Sequence, residues 1–184
     1  MTPLSATDRA ALLGIARGAI LAHLGLTPPR PLPEDGALGE RRGAFVTLEV
    51  DGELRGCIGT FQPAGSLAAT VAAMAVAAAH EDPRFPPLAA EEIARLTLSV
   101  SALGLPRRMA DPGELHVGRH GLLVKQGWHR GALLPRVAVE HGWDAATFLK
   151  HVCLKAGLPA RAWQEPDAEV EVFEADEFGE EPKH

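Results

Sequence analysis

Tyrosine is missing from this 184-residue chain, and Phe and Trp together leave aromatics at only 5%. That scarcity removes the stacking array on which single-stranded nucleic acid is held. Basic residues are outnumbered too: 18 Lys and Arg against 24 Asp and Glu give a formal net charge of −6. Such a balance disfavours a general phosphate-binding surface and makes nucleic acid an unfavoured partner. The pairs Arg41-Arg42 and Arg107-Arg108 are too short for nucleic-acid arms and read as solvated loop charges. Cysteine is scarce: Cys57 and Cys153 stand far apart with no CxxC anywhere, which excludes a disulfide framework and fits reduced thiols in a cytoplasm. No long hydrophobic run exists. The most apolar stretch, Leu67 to Ala79, is broken by Thr70 and falls short of the ~20 residues a spanning helix needs. The start, MTPLSATDRAALL, has no basic region before an apolar core, so neither signal peptide nor membrane attachment is expected. Gly-rich phosphate loops, G-x-S-x-G and Cys/His zinc patterns are missing, and no cofactor is expected.

What is present suits a soluble globular protein: 46% hydrophobic and 23% charged residues. A chain this long buries roughly 70% of its unfolded surface, enough for a full core in one domain or two small lobes. Ser5 and Asp8 form a capping-box pattern ahead of Leu12, Ile15, Ala16, Ala19, Ile20 and His23 at helical spacing, with Gly25 as the stop. Four prolines in LTPPRPLPEDGALG make residues 27–39 a loop. Ala44–Val50 and Glu53–Ile58 flank Asp51-Gly52, a strong hairpin signal. A two-residue turn sets Val50 opposite Glu53, hence Val46 opposite Cys57 and Leu48 opposite Arg55, all four on one face. Ser66 caps a helix ending near His80, and Asp82–Pro87 is a stiff loop. A short helix at 89–95 leads to a half-buried alternating strand at 96–102, and residues 114–124 read as two extended pieces around Gly118–Gly121. Asp144 caps a helix whose buried stripe is Phe148, Leu149, Val152 and Cys153, with Trp143 and Trp163 as core anchors. Glu169–Phe173 alternates as a strand, and the acidic tail from Asp176 to His184 reads as frayed and disordered. Helices interleave with hairpin-linked strands without a regular βαβ rhythm, so the fold class is α+β with antiparallel sheet.

Chemistry concentrates in LRGCIG, Leu54, Arg55, Gly56, Cys57, Ile58 and Gly59. Two glycines inside a strand signal a close approach to its backbone, and the expected approach is by a partner reaching Arg55 and Cys57. One reading makes Cys57 a thiolate nucleophile or redox centre, with Arg55 supplying the positive charge that favours thiolate. The other makes it a thiol packed against Val46 and Leu48. His80 and His120 are candidate bases for Cys57, and His116 with His120 is a weak metal pair, so no metal site is expected. Arg84 either binds an anionic group or locks its loop by pairing with Asp82.

LRGCIGTF at 54–61 resembles the signature of the AMMECR domain, named for the Alport syndrome, midface hypoplasia and elliptocytosis chromosomal region. The resemblance extends through DPRFPPL, LSVSAL, LLPRVAVEHGWD and FLKHVCLKAGLPARAW, in that order. Prokaryotic members are described as AmmeMemoRadiSam system protein A, and members often carry Gln where Arg136 stands. The resemblance implies one two-lobed α+β domain over residues 1–184, an antiparallel sheet in each lobe, and a cleft faced by 54–59. It implies the company of a Memo-type protein and a radical S-adenosylmethionine enzyme, but no reaction. The expected function is therefore an accessory component that binds a protein, peptide or substrate, with 54–59, Arg84 and His120 as binding residues. The alternative is a cysteine-dependent enzyme using Cys57 and Arg55.

Overall fold

The computed structural model describes residues 2–63 and 65–181. The chain divides into two compact units: one holds the residues up to Leu103 and those from Asp176 onward, the other Gly104–Ala175.

In the first unit, α1 (Ala6–His23) begins at the expected capping box, with Ser5 and Asp8 bonding each other's backbone N–H. It packs on α3 (Leu67–His80), which Ser66 caps through Ala69 N–H. Both helices cover strands β1 (Ala44–Val50), β2 (Glu53–Thr60) and β3 (Leu96–Leu103). β1 lies between the other two and runs antiparallel to each. Leu12, Ile20, Val46, Leu48, Leu67 and Leu98 fill the core between helices and sheet. The proline-rich loop ends in one helical turn, α2 (Gly36–Gly39), where only loop was expected. The segment after the DPRF loop is a 3₁₀ helix, Ala90–Arg95. β3 is buried along nearly its whole length rather than on one face.

The second unit is built on β5 (His120–Gln126), which pairs antiparallel with β6 (His129–Leu133) and with β7 (Glu169–Gly179). The two residues of β4 (Arg107–Arg108) also pair with β7. The first extended piece expected near 114 is instead a 3₁₀ turn, Pro112–Glu114, and loop. Helix α4 (Pro135–Glu140) was not expected; Pro135 sits at its first turn, where the missing N–H is no loss. Helix α5 (Ala145–Lys155) starts at the Asp144 cap. Its Phe148, Leu149, Val152 and Cys153 are buried against Leu122, Val124 and Val172, with Trp143 and Trp163 packed at the edge.

The fold class is α+β with antiparallel pairing throughout these ladders. Two charge expectations need correction. Asp176 to Gly179 are not frayed: they belong to β7, and its neighbour Glu180 is held by Arg17 at 2.6 Å and by Leu98 N–H at 3.1 Å. Glu180 N–H in turn donates to the Leu98 carbonyl. Pro182, Lys183 and His184 lie outside the described residues. Arg42 is not solvated; it is buried, and its Nε donates to the Leu103 carbonyl at 3.1 Å.

Candidate functional site

The hairpin turns where expected, with Asp51 (φ 54°) and Gly52 (φ 81°) both left-handed, the requirement of a type I′ turn. Its register does not continue as expected. Val50 faces Glu53 and Glu49 faces Leu54, but Leu48 then faces Gly56, so Arg55 is an extra residue in a β-bulge. One inserted residue moves every later side chain to the other face. Cys57 therefore stands opposite Thr47, not Val46, and the expected four-residue face of Cys57, Arg55, Val46 and Leu48 does not form. The Thr47 hydroxyl donates to the Cys57 sulfur at 3.3 Å.

The two glycines are explained by the chain's own packing. A Cβ on Gly56 would lie 2.1 Å from the Ala78 carbonyl oxygen, where the last turn of α3 presses on the strand. A Cβ on Gly59 would lie 2.2 Å from Cγ of Phe45, whose ring covers that position. The close approach at these two glycines comes from α3 and Phe45. Ile58 packs against the first unit's core and Leu54 is exposed.

Arg55 is committed elsewhere. Its Nε and Nη2 donate to both carboxylate oxygens of Glu92 at 2.8 and 3.0 Å, and Nη1 donates to the Pro86 carbonyl at 2.8 Å. Those Arg55 bonds hold the Glu92 carboxyl below its usual range against the opposing effect of burial; the Ala89 N–H adds to them. The expected role of Arg55 as the charge beside the thiol does not fit this geometry.

A different guanidinium, that of Arg84, pairs with the carboxylate that also accepts the Cys57 backbone N–H. Its pKa is raised chiefly by its hydrogen bonds to Asp82, with the Cys57 charge as a smaller contribution. Arg84 donates from Nε to Oδ1 of Asp82 at 2.9 Å and from Nη2 to Oδ2 at 2.7 Å, a two-pronged pair. The same Oδ2 accepts the Cys57 backbone N–H at 2.9 Å. The Asp82 side chain is 2% exposed while that of Arg84 is 53% exposed. The Arg84 hydrogen bonds hold the Asp82 carboxyl far below the usual carboxylate range; burial opposes them and the Cys57 and Arg84 backbone N–H groups assist. Phe85 lies beneath, 5.4 Å from the Arg84 guanidinium and 6.0 Å from that of Arg55.

The two histidines read as candidate bases have partners of their own. His80 packs against His23 with ring centroids 4.2 Å apart. His120 belongs to the second unit, buried, with Nδ1 accepting the His116 N–H at 3.2 Å. Its proton affinity is lowered first by burial and then by Arg107, His116 and Arg119. Among the described residues, no three His, Cys, Asp or Glu side chains converge as metal ligands. Sequence reasoning passed over Thr47 and took Asp82 only as a partner for Arg84. The Asp-Pro-Arg spacing marked that pair, but nothing local marks Asp82 as the cap on Cys57.

The model of the AMMECR1 family matches residues 13–178. The chain belongs to the AMMECR1 family. A Methanothermobacter thermautotrophicus protein is 44% identical over 186 residues, covering 97% of each chain. A Methanopyrus kandleri protein is 43% identical, over 92% of this chain and 87% of its own. The crystal structure of an uncharacterized protein from Pyrococcus horikoshii superposes with a TM-score of 0.85 at 39% identity, over 95% of this chain and 92% of that one. Among the described residues, no helix is long and apolar enough to cross a membrane.

Proposed function

We propose that this AMMECR1 protein is a binding component that works in the cytoplasm beside a Memo-type protein and a radical S-adenosylmethionine enzyme. Its recognition face is the β2 edge together with the DPRF loop. The observation that carries this reading is the double use of Asp82. One carboxylate caps the outward N–H of Cys57 and aims the Arg84 guanidinium, whose Nη1 stays without a hydrogen bond among the described residues. A half-exposed, pre-oriented fork beside Phe85 suits a carboxylate or main-chain carbonyl of a protein partner. Catalysis by Cys57 has less support, because its sulfur accepts from a hydroxyl, not facing a base, and Arg55 is spent on Glu92.

The test is reconstitution with the Memo-type and radical S-adenosylmethionine proteins of the same genome, followed by size-exclusion chromatography. A complex that survives Cys57→Ala and is lost in Arg84→Gln is the expected result. A complex that forms equally with Arg84→Gln, or no complex with either protein, contradicts the reading.

A further inference from the structure

The proline-rich loop does not lie flat on the helices it crosses. Between it, α1 and α3 is a cavity of about 650 Å³, within the first unit and separate from the β2 face. That volume is typical of a small-molecule site. The floor is unusual. Gly14 and Gly18 stand four residues apart on α1 and so share a face, and a Cβ at either would meet no atom within 4 Å. Glycine inside a helix costs roughly 0.5–1 kcal/mol relative to alanine, and here neither glycine makes room for another part of the protein. Both widen the cavity instead. Pro31 and Leu32 form part of the cover, and both are exposed although Leu32 is apolar.

Charge at the cavity has one sign. In a chain of net charge −6, no carboxylate among the described residues lines it, while Arg30 does. Arg30 is exposed and makes no hydrogen bond or ion pair among the described residues. Along α1 the lining runs from Ala11 to His23, about 18 Å at the helical rise. An elongated apolar space with a free guanidinium suits a ligand with an extended hydrocarbon body and one acidic head.

We propose that this cavity is a binding site for a small amphiphilic carboxylate, its chain laid over Gly14 and Gly18 and its head paired with Arg30. The proposal is independent of the β2 face. The test is titration calorimetry of the full chain with three probes below their micellar concentrations: decanoate, decanol and decyltrimethylammonium. Saturable one-to-one binding of decanoate is expected, weakened at least tenfold by Arg30→Gln while decanol binding is unchanged. Gly14→Leu and Gly18→Leu should each abolish binding of both without lowering the melting temperature, because leucine favours helix over glycine. Three results overturn the proposal: no binding of decanoate, decanoate affinity indifferent to Arg30→Gln, or decyltrimethylammonium binding as tightly as decanoate. A dimer in light scattering that dissociates in Gly18→Leu also overturns it, making this face a contact between copies of the chain.

Discussion

Cys57 and Cys153 present the same thiol to opposite surroundings. Cys153 lies fully buried in the apolar stripe of α5, where burial pushes its pKa up. Cys57 is half-buried on β2, its sulfur taking a hydrogen bond from Thr47 and its backbone N–H tied to Asp82. One region is held by packing, the other by polar bonds converging on a single carboxylate. A packed region resists changes of volume or polarity, whereas a polar clamp responds to pH and to the loss of one partner.

The comparison breaks most visibly where packing reaches the polar region. Gly56→Val forces a side chain into the Ala78 carbonyl, and backbone has little room to yield. A loss of about 3 kcal/mol or more is expected in urea unfolding; an unchanged midpoint would mean that α3 does not press on β2. Next comes Cys153→Ser, which buries a hydroxyl in an apolar stripe and should cost about 1–3 kcal/mol. Stability within 0.5 kcal/mol of wild type would show that the α5 stripe is not sealed.

Asp82→Asn sharpens the polar side of the comparison. The folded-state pKa of Asp82 is depressed, so its contribution is present above the ordinary carboxylate pKa of about 4 and is lost as pH falls below it. The variant should melt a few degrees below wild type at pH 7, and the gap should close as pH drops below about 4. A gap that is constant from pH 7 to pH 3 contradicts the clamp. The smallest effect is expected for Cys57→Ser, within about 0.5 kcal/mol by urea unfolding, since a hydroxyl also accepts from Thr47; a loss above 1.5 kcal/mol would place Cys57 with the packed residues.

Local signals predicted the α1 capping box, the Asp51-Gly52 turn, the Ser66 and Asp144 caps and the α5 stripe, because each depends on residues within a turn or two of one another. What escaped depends on distant partners. The bulge at Arg55 is fixed by Glu92 and the Pro86 carbonyl, more than thirty residues on, and strand periodicity without it assigns Cys57 to the wrong face. Acidic Asp176 and Glu180 read as tail until Arg9 and Arg17 of α1 are seen to hold them. The helix over Pro135–Glu140 carries no local cap, and Pro135 stands in its first turn, where a helix accepts proline. At the site, Arg84 with Asp82 was legible from spacing. Gly56 and Gly59 signalled a close approach, but not that Ala78 and Phe45 make it.

The central claim is that the Cys57 and Arg84 face meets a partner protein. Its most direct test is iodoacetamide labelling of the folded chain, alone and saturated with the proposed Memo-type and radical S-adenosylmethionine partners, with both cysteines followed by mass spectrometry. The account predicts that Cys57 labels in the free protein and is protected at least fivefold in the complex, while Cys153 labels in neither until the chain unfolds. Undiminished labelling of Cys57 within a complex that co-elutes, or labelling of Cys57 only on unfolding, would contradict it.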